Sequence, residues 1–474
     1  MGKLIGRTEE IKELENCYNS DRPEFVIVYG RRRIGKTFLV RQLFKNKFTF
    51  SFVGGHNETT REQLWRFHSD LRDQFNQVVV PEFKNWIEAL QALRNLLSAL
   101  PHDSRKVIFF DEMPWMDTPK SKFITALEIF WNGWASARDD IMLVACGSST
   151  SWMINKIIGN HGGLYGRVTK QIYLKPFKLR ECEQLLQGKN GRWDRYQITQ
   201  AYMALGGVPY YFDMLDINLS LAQNIDKLFF DNAAHLNKEF DQLYATLFTY
   251  PENYIDVVRV LAKHPGGLTR KQIAEQTNVG GGGLTTVLKN LEKCDLINSF
   301  SQFHGKTKAV YQLVDFFSLF YFKFIENNKT KDKQYWSHHL NSPAIYNWQG
   351  HAFEVVALIH LEQIKKKLGI AGISTACYAW HNKEAQIDLV IERADRMINI
   401  CEIKFAENTY EITKNYAEKL RNKIGAFSNA TKTRYGIHLT MITTFGIVRS
   451  MYGFMANSEV TLDDFFEEEP NIFI

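Results

Sequence analysis

The sequence of 474 residues is too long for one ordinary hydrophobic core, so we expect two to four domains. With 45% hydrophobic and 23% charged residues, the composition is that of globular proteins and excludes extended disorder. The formal net charge of +6 is mild for this length, so it permits contact with a polyanion such as nucleic acid without requiring it.

The cysteines and the amino-terminal residues indicate a reducing compartment. The six cysteines show no C-x-x-C spacing, and the opening MGKLIGRTEE has no apolar signal core. Gly2 lacks the Ser or Thr four positions later that a myristoylation signal needs, because that position is Gly6. No apolar run approaches the roughly 18 residues that span a bilayer. We therefore expect a cytoplasmic protein without a membrane span or anchor.

Strand-like apolar runs alternate with helical patterns up to about residue 176. The runs cover residues 25–30, 47–53, 106–112 and 141–149. This alternation predicts an α/β domain whose parallel sheet is covered by helices. We assign residues 1–176 to this domain.

The first apolar run leads into GRRRIGKT, which matches the motif G-x-x-x-x-G-K-[ST] through Gly30, Gly35, Lys36 and Thr37. Since the motif lies between a strand and an amphipathic helix, its backbone N–H groups would surround phosphate oxygens. Lys36 would reach the β- and γ-phosphates of ATP, and Thr37 would bind Mg²⁺. The nucleotide-contacting residues of this loop also include, in our prediction, Arg33 and Ile34.

The run KVIFFDE supplies the acidic residues that such a site needs. Asp111 ends the strand and would belong to the Mg²⁺ shell, and Glu112 is the candidate base for the attacking water. Ser148 and Ser149 end another strand, where related folds place a polar residue that senses the γ-phosphate. A simple turn is the alternative for these two serines.

Residues 177–249 are mostly helical in pattern, with a break at GGVP (206–209). They predict a helical lid or spacer. Together, IGRTEEIKEL, YGRRRIGKT, FFDEMPWM, GGLYGRVTKQIYLKPF and GGVPYYF resemble the archaeal-type ATPases, a branch of the STAND group related to AAA+ proteins. The resemblance covers about the first half of the chain.

This resemblance implies roles for four further residues. Gly6 and Arg7 would lie near the adenosine, and Pro209 would belong to a GxP element that closes over the nucleotide. Arg167 would be a phosphate-sensing or finger residue, with a surface arginine after a glycine turn as the alternative.

Residues 250–330 show short helices followed by two strands, the order of a winged helix-turn-helix. One helix buries Leu284, Val287, Leu288 and Leu291, which are spaced at i, i+3, i+4 and i+7. Its opposite face presents Thr285, Thr286, Lys289, Asn290 and Lys293, and the wing would add Lys306 and Lys308 for phosphate contacts. Because residues 250–342 carry only 12 basic against 8 acidic residues, both DNA reading and an intramolecular regulatory arm stay open.

The domain from 343 to 474 contains a second candidate site. Asp388 opens the strand IDLVIE, while Glu402 and Lys404 lie two residues apart on the next strand and so share a face. Two carboxylates can converge on one Mg²⁺, and a lysine beside them would stabilise an attacking hydroxide, as metal-assisted phosphodiester hydrolysis requires. Glu354 lies in an apolar helix that we predict over residues 344–367, where an acid needs a partner or a metal.

The order Glu354, Asp388, Glu402-x-Lys404 resembles the PD-(D/E)XK nuclease superfamily, although Ile387 stands in place of the motif's proline. The resemblance implies an α/β restriction-endonuclease-like fold, with Glu354, Asp388 and Glu402 as metal ligands. The alternative is an unrelated E-x-K triplet on an exposed strand edge. The acidic tail, with six acids between Glu459 and Glu469, is either solvated or covers a basic cleft.

Two functions follow from these sites. The first is an ATP-binding and ATP-hydrolysing switch whose nucleotide state regulates a Mg²⁺-dependent nuclease-like domain acting on nucleic acid. The second is a nucleotide-switched signalling or DNA-binding regulatory protein without nuclease activity. ATP or ADP is the predicted ligand in both, no membrane partner is expected, and oligomerisation is left open.

Overall fold

The computed structural model describes residues 4–77, 79–159, 162–248, 250–300, 309–326, 328 and 332–470. Contacts divide the chain into two compact units, Met1–Lys175 with Leu243–Pro251, and Pro176–Gln242 with Glu252–Ile474. No helix among the described residues is long and apolar enough to cross a membrane.

The first unit is built on a five-stranded parallel sheet with the strand order β2-β3-β4-β1-β5. Its strands are β1 (Glu24–Tyr29), β2 (Phe48–Val53), β3 (Lys106–Asp111), β4 (Ile141–Gly147) and β5 (Lys170–Tyr173). The predicted parallel α/β sheet is confirmed, and the four apolar runs match β1 to β4. We did not predict β5, because its four residues KQIY form no apolar run.

Helices cover both faces of this sheet. They are α1 (Thr8–Tyr18), α2 (Lys36–Leu43), α3 (Thr60–Gln74), α4 (Trp86–Ser98), α5 (Phe123–Gly133) and α6 (Thr150–Trp152). Alternate residues of β1 enter opposite cores: Phe25 packs in the core of α3, α4 and α5, and Val26 packs in the core of α1 and α2. Strands buried on both faces explain why their sequences are continuous apolar runs.

The second unit starts with helices α7 (Leu179–Gly188), α8 (Arg195–Leu205), α9 (Pro209–Asp213) and α10 (Leu221–Ile225), and α11 (Glu239–Leu247) crosses the division between the units. Next come α12 (Pro251–Ala262), β6 (Leu268–Thr269), α13 (Arg270–Gln276), α14 (Gly281–Lys293), β7 (Ile297–Phe300) and β8 (Val310–Leu313). The three strands form an antiparallel sheet in the order β6-β8-β7. The four apolar residues that we predicted to be inside α14 are buried. Lys306 and Lys308 lie outside the described residues.

The remaining elements surround a second five-stranded sheet in the order β13-β12-β11-β10-β9. The helices are α15 (Phe316–Phe320), α16 (Tyr335–His338), α17 (Pro343–Ile359), α18 (Leu361–Lys367) and α19 (Lys414–Thr431). The strands are β9 (Thr375–His381), β10 (Gln386–Arg393), β11 (Met397–Lys404), β12 (Gly436–Thr443) and β13 (Ser458–Thr461). The sheet is mixed, since β9, β10 and β11 pair antiparallel while β11, β12 and β13 pair parallel.

The single helix that we predicted over residues 344–367 is two helices that meet at His360. The His360 backbone leaves the helical conformation, and the residue is fully buried. Its Nδ1 lies 2.8 Å from the Val356 carbonyl oxygen, and its Nε2 accepts a hydrogen bond of 3.2 Å from the Leu179 N–H. The ring therefore joins the break between α17 and α18 to the start of α7.

The acidic tail covers basic side chains within the second unit. Arg195 of α8 pairs with Asp463 at 3.0 Å, and Lys367 of α18 pairs with Asp464 at 2.9 Å. Further ion pairs join Arg180 to Glu468 and Lys178 to Glu469. The tail acids thus pair with basic side chains of α7, α8 and α18, while Asp463, Glu468 and Glu469 stay exposed to solvent.

Candidate functional site

The loop between β1 and α2 contains the predicted nucleotide-binding residues. Gly30 has a φ of +142°, and a Cβ there would lie 2.4 Å from the Leu174 carbonyl oxygen, so only glycine fits. Gly35 has a φ of +89°, which favours glycine, and no described heavy atom lies within 4 Å of the place of a Cβ. Between the two glycines, Arg33 is half-buried with a φ of 68°, and Ile34 packs in the core.

Lys36 begins α2 and points back into this loop. Its Nζ donates hydrogen bonds to the carbonyl oxygens of Gly30 and Arg31, at 3.0 and 2.9 Å. Burial lowers the pKa of the Lys36 ammonium below its ordinary value, and the nearby Glu112 carboxylate opposes that shift. The ammonium is thus held at the centre of the loop, where phosphate oxygens would lie.

A hydroxyl and a carboxylate meet beside the lysine. Thr37 Oγ1 donates to Asp111 Oδ1 at 2.9 Å, although the two residues are far apart in sequence. Burial raises the pKa of the Asp111 carboxyl, because the charged form loses its solvation by water. A cation beside this carboxylate would stabilise the charged form. Because Mg²⁺ prefers such oxygen ligands, this donor set fits the predicted ion.

Glu112 follows Asp111 in a left-handed backbone conformation with a φ of 46°. Its Oε2 accepts hydrogen bonds from the Ser148 N–H, at 3.2 Å, and from the Ser148 hydroxyl, at 2.8 Å. The structure therefore brings one of the two predicted serines into contact with the candidate base.

Three of the four residues implied by resemblance lie in the first unit. Arg7 donates to the Ile34 carbonyl oxygen at 3.3 Å, so its guanidinium lies against the loop, and Gly6 precedes it with a φ of +60°. Arg167 is exposed on a turn that precedes β5. Its predicted role as a finger residue stays a prediction.

Pro209 is the first residue of α9, in the second unit. The two preceding glycines, Gly206 and Gly207, have φ values of +69° and +64°. At Gly207 a Cβ would lie 2.1 Å from the Phe177 carbonyl oxygen, so the GGVP turn requires glycine there.

In the carboxy-terminal sheet, strand register brings the predicted carboxylates together. Leu389 of β10 pairs with Cys401 of β11 in an antiparallel register, so the next position sets Asp388 opposite Glu402. The register with β9 shifts between Ile387 and Val390, a bulge next to Asp388. Such a bulge redirects a side chain relative to the regular strand.

Glu402 is 1% exposed, yet it keeps its charge through its neighbours. Burial alone would raise its pKa, but the ammonium groups of Lys404 and Lys423 outweigh that effect and hold the pKa of the Glu402 carboxyl below its ordinary value. Lys404 Nζ lies 2.8 Å from Glu402 Oε1, and Lys423 Nζ lies 2.6 Å from Oε2. The Tyr416 hydroxyl also donates to Oε1.

Asp388 differs from Glu402 in its charge environment. Burial, followed by the nearby carboxylates of Glu402 and Glu354, raises the pKa of Asp388 to about 7. Two opposed carboxylates with one strongly shifted pKa are typical of a site that takes up a cation or a proton. Oxygen ligands of this kind fit Mg²⁺.

Asp388, Glu402, Lys404 and Lys423 line one cavity of about 410 Å³. Glu354 of α17 lines an adjoining cavity, and its carboxylate lies 3.7 Å from His351 Nδ1. Among the described residues, the three predicted metal-binding carboxylates do not form a cluster with mutual ligand distances within 4.8 Å; His102, Asp139 and Asp140 do. In that cluster Asp140 already accepts two hydrogen bonds from Arg138.

Sequence reasoning missed Tyr416 and Lys423, which both contact Glu402 from α19. Their spacing of seven residues, with Lys419 between them at i+3, places them along one face of a helix. This polar stripe was a usable signal, but nothing in the sequence links it to Glu402.

Residues 4–215 match the family model described as the ATPase domain predominantly from Archaea. This part of the chain is an ATPase domain of archaeal type with a P-loop. Residues 253–310 match the model described as the PH0730-like, N-terminal domain.

Curated relatives and solved structures extend these findings. An uncharacterized protein of Methanocaldococcus jannaschii, MJECL04, is 25% identical over 428 residues, which cover 88% of this chain and 91% of the relative. The uncharacterized ATP-binding protein MJ0423 of the same organism is 42% identical over 44 residues, 9% of this chain and 75% of that protein.

Two solved structures are similar at low identity. The Walker-type ATPase PABY2304 of Pyrococcus abyssi has a TM-score of 0.48 at 18% identity, over 68% of this chain and 96% of that one. The ORC2 protein of Aeropyrum pernix, in its ADPNP-ADP complexes, has a TM-score of 0.44 at 16% identity, over 68% and 93% of the two chains.

Proposed function

We propose that this protein is an ATP-hydrolysing switch whose nucleotide state regulates a Mg²⁺-dependent phosphodiesterase site acting on nucleic acid. The single observation that carries the second half of this proposal is the cavity in which Asp388 faces Glu402 and Lys404. Two carboxylates and a lysine on adjacent strands are the groups that metal-assisted phosphodiester hydrolysis requires.

In the ATPase domain, Lys36 binds the β- and γ-phosphates, and Thr37 with Asp111 would hold Mg²⁺. Glu112 orients the water that attacks the γ-phosphorus and takes up its proton. Ser148 holds the Glu112 carboxylate in place through the two hydrogen bonds described above.

In the carboxy-terminal site we assign the metal to Asp388 and Glu402, because the predicted set that adds Glu354 does not bring its carboxylates within 4.8 Å of one another. A bound Mg²⁺ supplies Lewis-acid polarisation of a phosphoryl oxygen and lowers the pKa of a bound water. Lys404 stabilises the negative charge that develops on the phosphoryl oxygens as the water oxygen bonds to phosphorus. One P–O bond of the diester breaks, the leaving oxygen takes up a proton, and the products are a phosphate monoester and a hydroxyl.

The domain organisation that we propose supports this function. The elements α12 to β8 have the order of a winged helix-turn-helix over residues 250–330, and α17, α19 and the mixed sheet have the order of a restriction-endonuclease-like domain over 343–474. We retain residues 177–249 as a helical lid. On α14, Lys289 and Lys293 remain candidates for phosphate contacts.

A second candidate function has one observation in its favour. The Glu402 carboxylate accepts from Lys404, Lys423 and Tyr416, so three of its roughly four lone-pair positions are already used by the protein itself. A carboxylate held in this way also suits a structural role in a nucleotide-switched regulatory protein that cleaves nothing.

Cleavage assays separate the two functions. Labelled single- and double-stranded DNA and RNA are incubated with the full chain and Mg²⁺ or Mn²⁺, beside the variant Asp388→Asn. The matched control is Asp395→Asn, because Asp395 lies in the turn after β10 and lines neither cavity. The proposal is supported if the wild type and the control cleave and Asp388→Asn does not. If the wild type shows no metal-dependent cleavage, the result favours the regulatory protein.

A further inference from the structure

Asp388 lies where two cavities of different chemistry adjoin. The lysine cavity, of about 410 Å³, is lined by Lys404, Lys419 and Lys423 together with the site carboxylates. The amide cavity, of about 570 Å³, has no Lys or Arg among its described lining residues. Gln386 and Asp388 line both cavities. A ligand bound at Asp388 would therefore contact lysine ammonium groups in the lysine cavity and side-chain amides in the amide cavity.

The amide cavity is formed between two parts of the second unit. One wall belongs to β9, β10 and α17, and the other belongs to the β6-β8-β7 sheet with the turn Pro265–Gly267. Asn298 of β7 and Gln312 of β8 are cross-strand partners, so both side chains stand on the same face of that sheet. Gln312 donates to the Pro265 carbonyl oxygen at 2.7 Å, and Asn298 is exposed.

Size and chemistry define what this cavity can hold. Small-molecule sites commonly measure about 300–1,000 Å³, so the amide cavity has room for a ligand the size of a nucleotide. Amide side chains form hydrogen bonds with the edges of nucleobases, while phosphate groups seek cations. The negative backbone would therefore lie in the lysine cavity and the base in the amide cavity.

We propose that the site takes single-stranded nucleic acid, with an unpaired base at the Asp388 junction inserted in the amide cavity and the adjacent phosphates bound by Lys419 and Lys423. This inference rests on the proposed phosphodiesterase site for its position, but it concerns binding. A base in a duplex is stacked and its pairing edge is occupied, so it cannot enter the amide cavity without leaving the helix.

Anisotropy of fluorescent oligonucleotides tests this inference in the full-length Asp388→Asn chain with Mg²⁺, in which cleavage does not interfere. A single-stranded DNA, the RNA of the same sequence and the corresponding DNA duplex are compared. We expect at least one of the single strands to bind ten-fold or more tightly than the duplex, and the DNA and RNA arms identify which sugar the site accepts.

Two variants probe the two cavities separately. Asn298→Ala should weaken single-strand binding about five-fold and leave its salt dependence unchanged, since an uncharged hydrogen bond is lost. Lys419→Ala should reduce the slope of log K against log salt by about 0.7, the value for one phosphate contact on a single strand. The matched controls are Gln187→Ala and Lys414→Ala, exposed residues of α7 and α19 that line neither cavity.

Equal affinity for single strand and duplex, or full affinity in Asn298→Ala, would overturn the inference. Its failure is distinct from failure of the proposed function. If the wild type cleaves nothing but the binding pattern appears, the inference stands and the phosphodiesterase proposal fails. If the wild type cleaves both substrates equally and Asn298→Ala changes nothing, only the inference fails.

Discussion

Lys36 shows how much of the nucleotide site depends on one buried ammonium group. Its Nζ donates hydrogen bonds to the carbonyl oxygens of Gly30 and Arg31, so it stabilises the loop and also offers a cation to phosphate. We expect Lys36→Ala to abolish ATP binding and hydrolysis, because the β- and γ-phosphates lose their closest cation. Titration with a fluorescent ATP analogue and phosphate release measure this. The control Lys45→Ala, an exposed lysine of the same unit, should keep both, and undiminished nucleotide affinity in Lys36→Ala would refute the P-loop role.

Glu112 should affect turnover without affecting affinity. In Glu112→Gln the side chain still accepts a hydrogen bond from Ser148, and the Mg²⁺ ligands Thr37 and Asp111 are unchanged. We therefore expect normal ATP binding with hydrolysis slowed by roughly 10²- to 10⁴-fold, the usual contribution of a general base. Single-turnover hydrolysis measures the chemical step. A loss of binding as complete as that in Lys36→Ala would show that Glu112 is not merely the base.

Substitution of Lys404 should affect cleavage alone, whereas substitution of either carboxylate should affect both metal binding and cleavage. Asp388→Ala or Glu402→Ala should remove divalent-metal binding in the carboxy-terminal domain, because a site with few protein ligands cannot lose one. Lys404→Ala should keep the metal while cleavage falls by about 10²- to 10³-fold, as when one transition-state donor is removed. Calorimetric titration of Mn²⁺ beside a cleavage assay measures both. Metal binding lost equally in all three variants would assign Lys404 a structural role.

Residues close in sequence were predictable, and so was the distant pair Thr37 and Asp111, because each belongs to a recognisable motif. Distant contacts outside such motifs were not predictable. Gly30 to Thr37 form one continuous motif, so their roles follow from the order of residues alone. The contact of Glu112 with Ser148, and that of Glu402 with Lys423, join different elements. Such contacts depend on strand order and helix packing, which local patterns do not encode.

Among the elements, the long apolar runs predicted the strands β1 to β4, but the short polar strand β5 was not predicted. Strands β1, β3 and β4 are buried along almost their whole length, which requires continuous apolar sequence. The strand β5 lies at the sheet edge beside β1 and needs less apolar surface. The break between α17 and α18 was also missed, because it depends on the contact of His360 with a residue 181 positions away.

His360 makes the stability of the second unit depend on pH. Burial lowers the pKa of His360 from 6.5 to about 3, and the nearby Lys178 ammonium contributes to the same shift. Below pH 6.5 the unfolded chain binds a proton that the folded chain excludes, so the stabilisation is complete above that pH and is lost as the pH falls toward 3. We expect a loss of about 2 kcal/mol between pH 6.5 and pH 5.

Urea unfolding at several pH values measures this loss. In His360→Gln the amide side chain can form both hydrogen bonds but does not titrate. Between pH 6.5 and pH 5 the free energy of unfolding of this variant should therefore fall by about 2 kcal/mol less than that of the wild type. The control His235→Gln removes an exposed histidine and should leave the slope as it is in the wild type. An identical slope in His360→Gln and the wild type would show that His360 is not the titrating group.

In the whole molecule, the sequence did not predict which helices pack together. Helices α7 to α10 follow the ATPase sheet in the chain, yet their contacts place them in the second unit. The long-range contacts responsible include those of Leu179 with His360 and of Arg195 with Asp463. Periodicity identifies the buried face of a helix but not the surface that covers it, so this division could not be read from the sequence.

The link between nucleotide and cleavage is tested by the rate of single-strand cleavage with ATP, ADP or no nucleotide. This rate is measured in the wild type, in Lys36→Ala and in Asp388→Asn. We expect the wild type to show metal-dependent cleavage at a rate that changes with the nucleotide. Lys36→Ala should cleave at a rate that no nucleotide alters, and Asp388→Asn should hydrolyse ATP normally but cleave nothing. Cleavage that persists in Asp388→Asn, or a wild-type rate that is zero under every metal and nucleotide condition, would contradict these expectations.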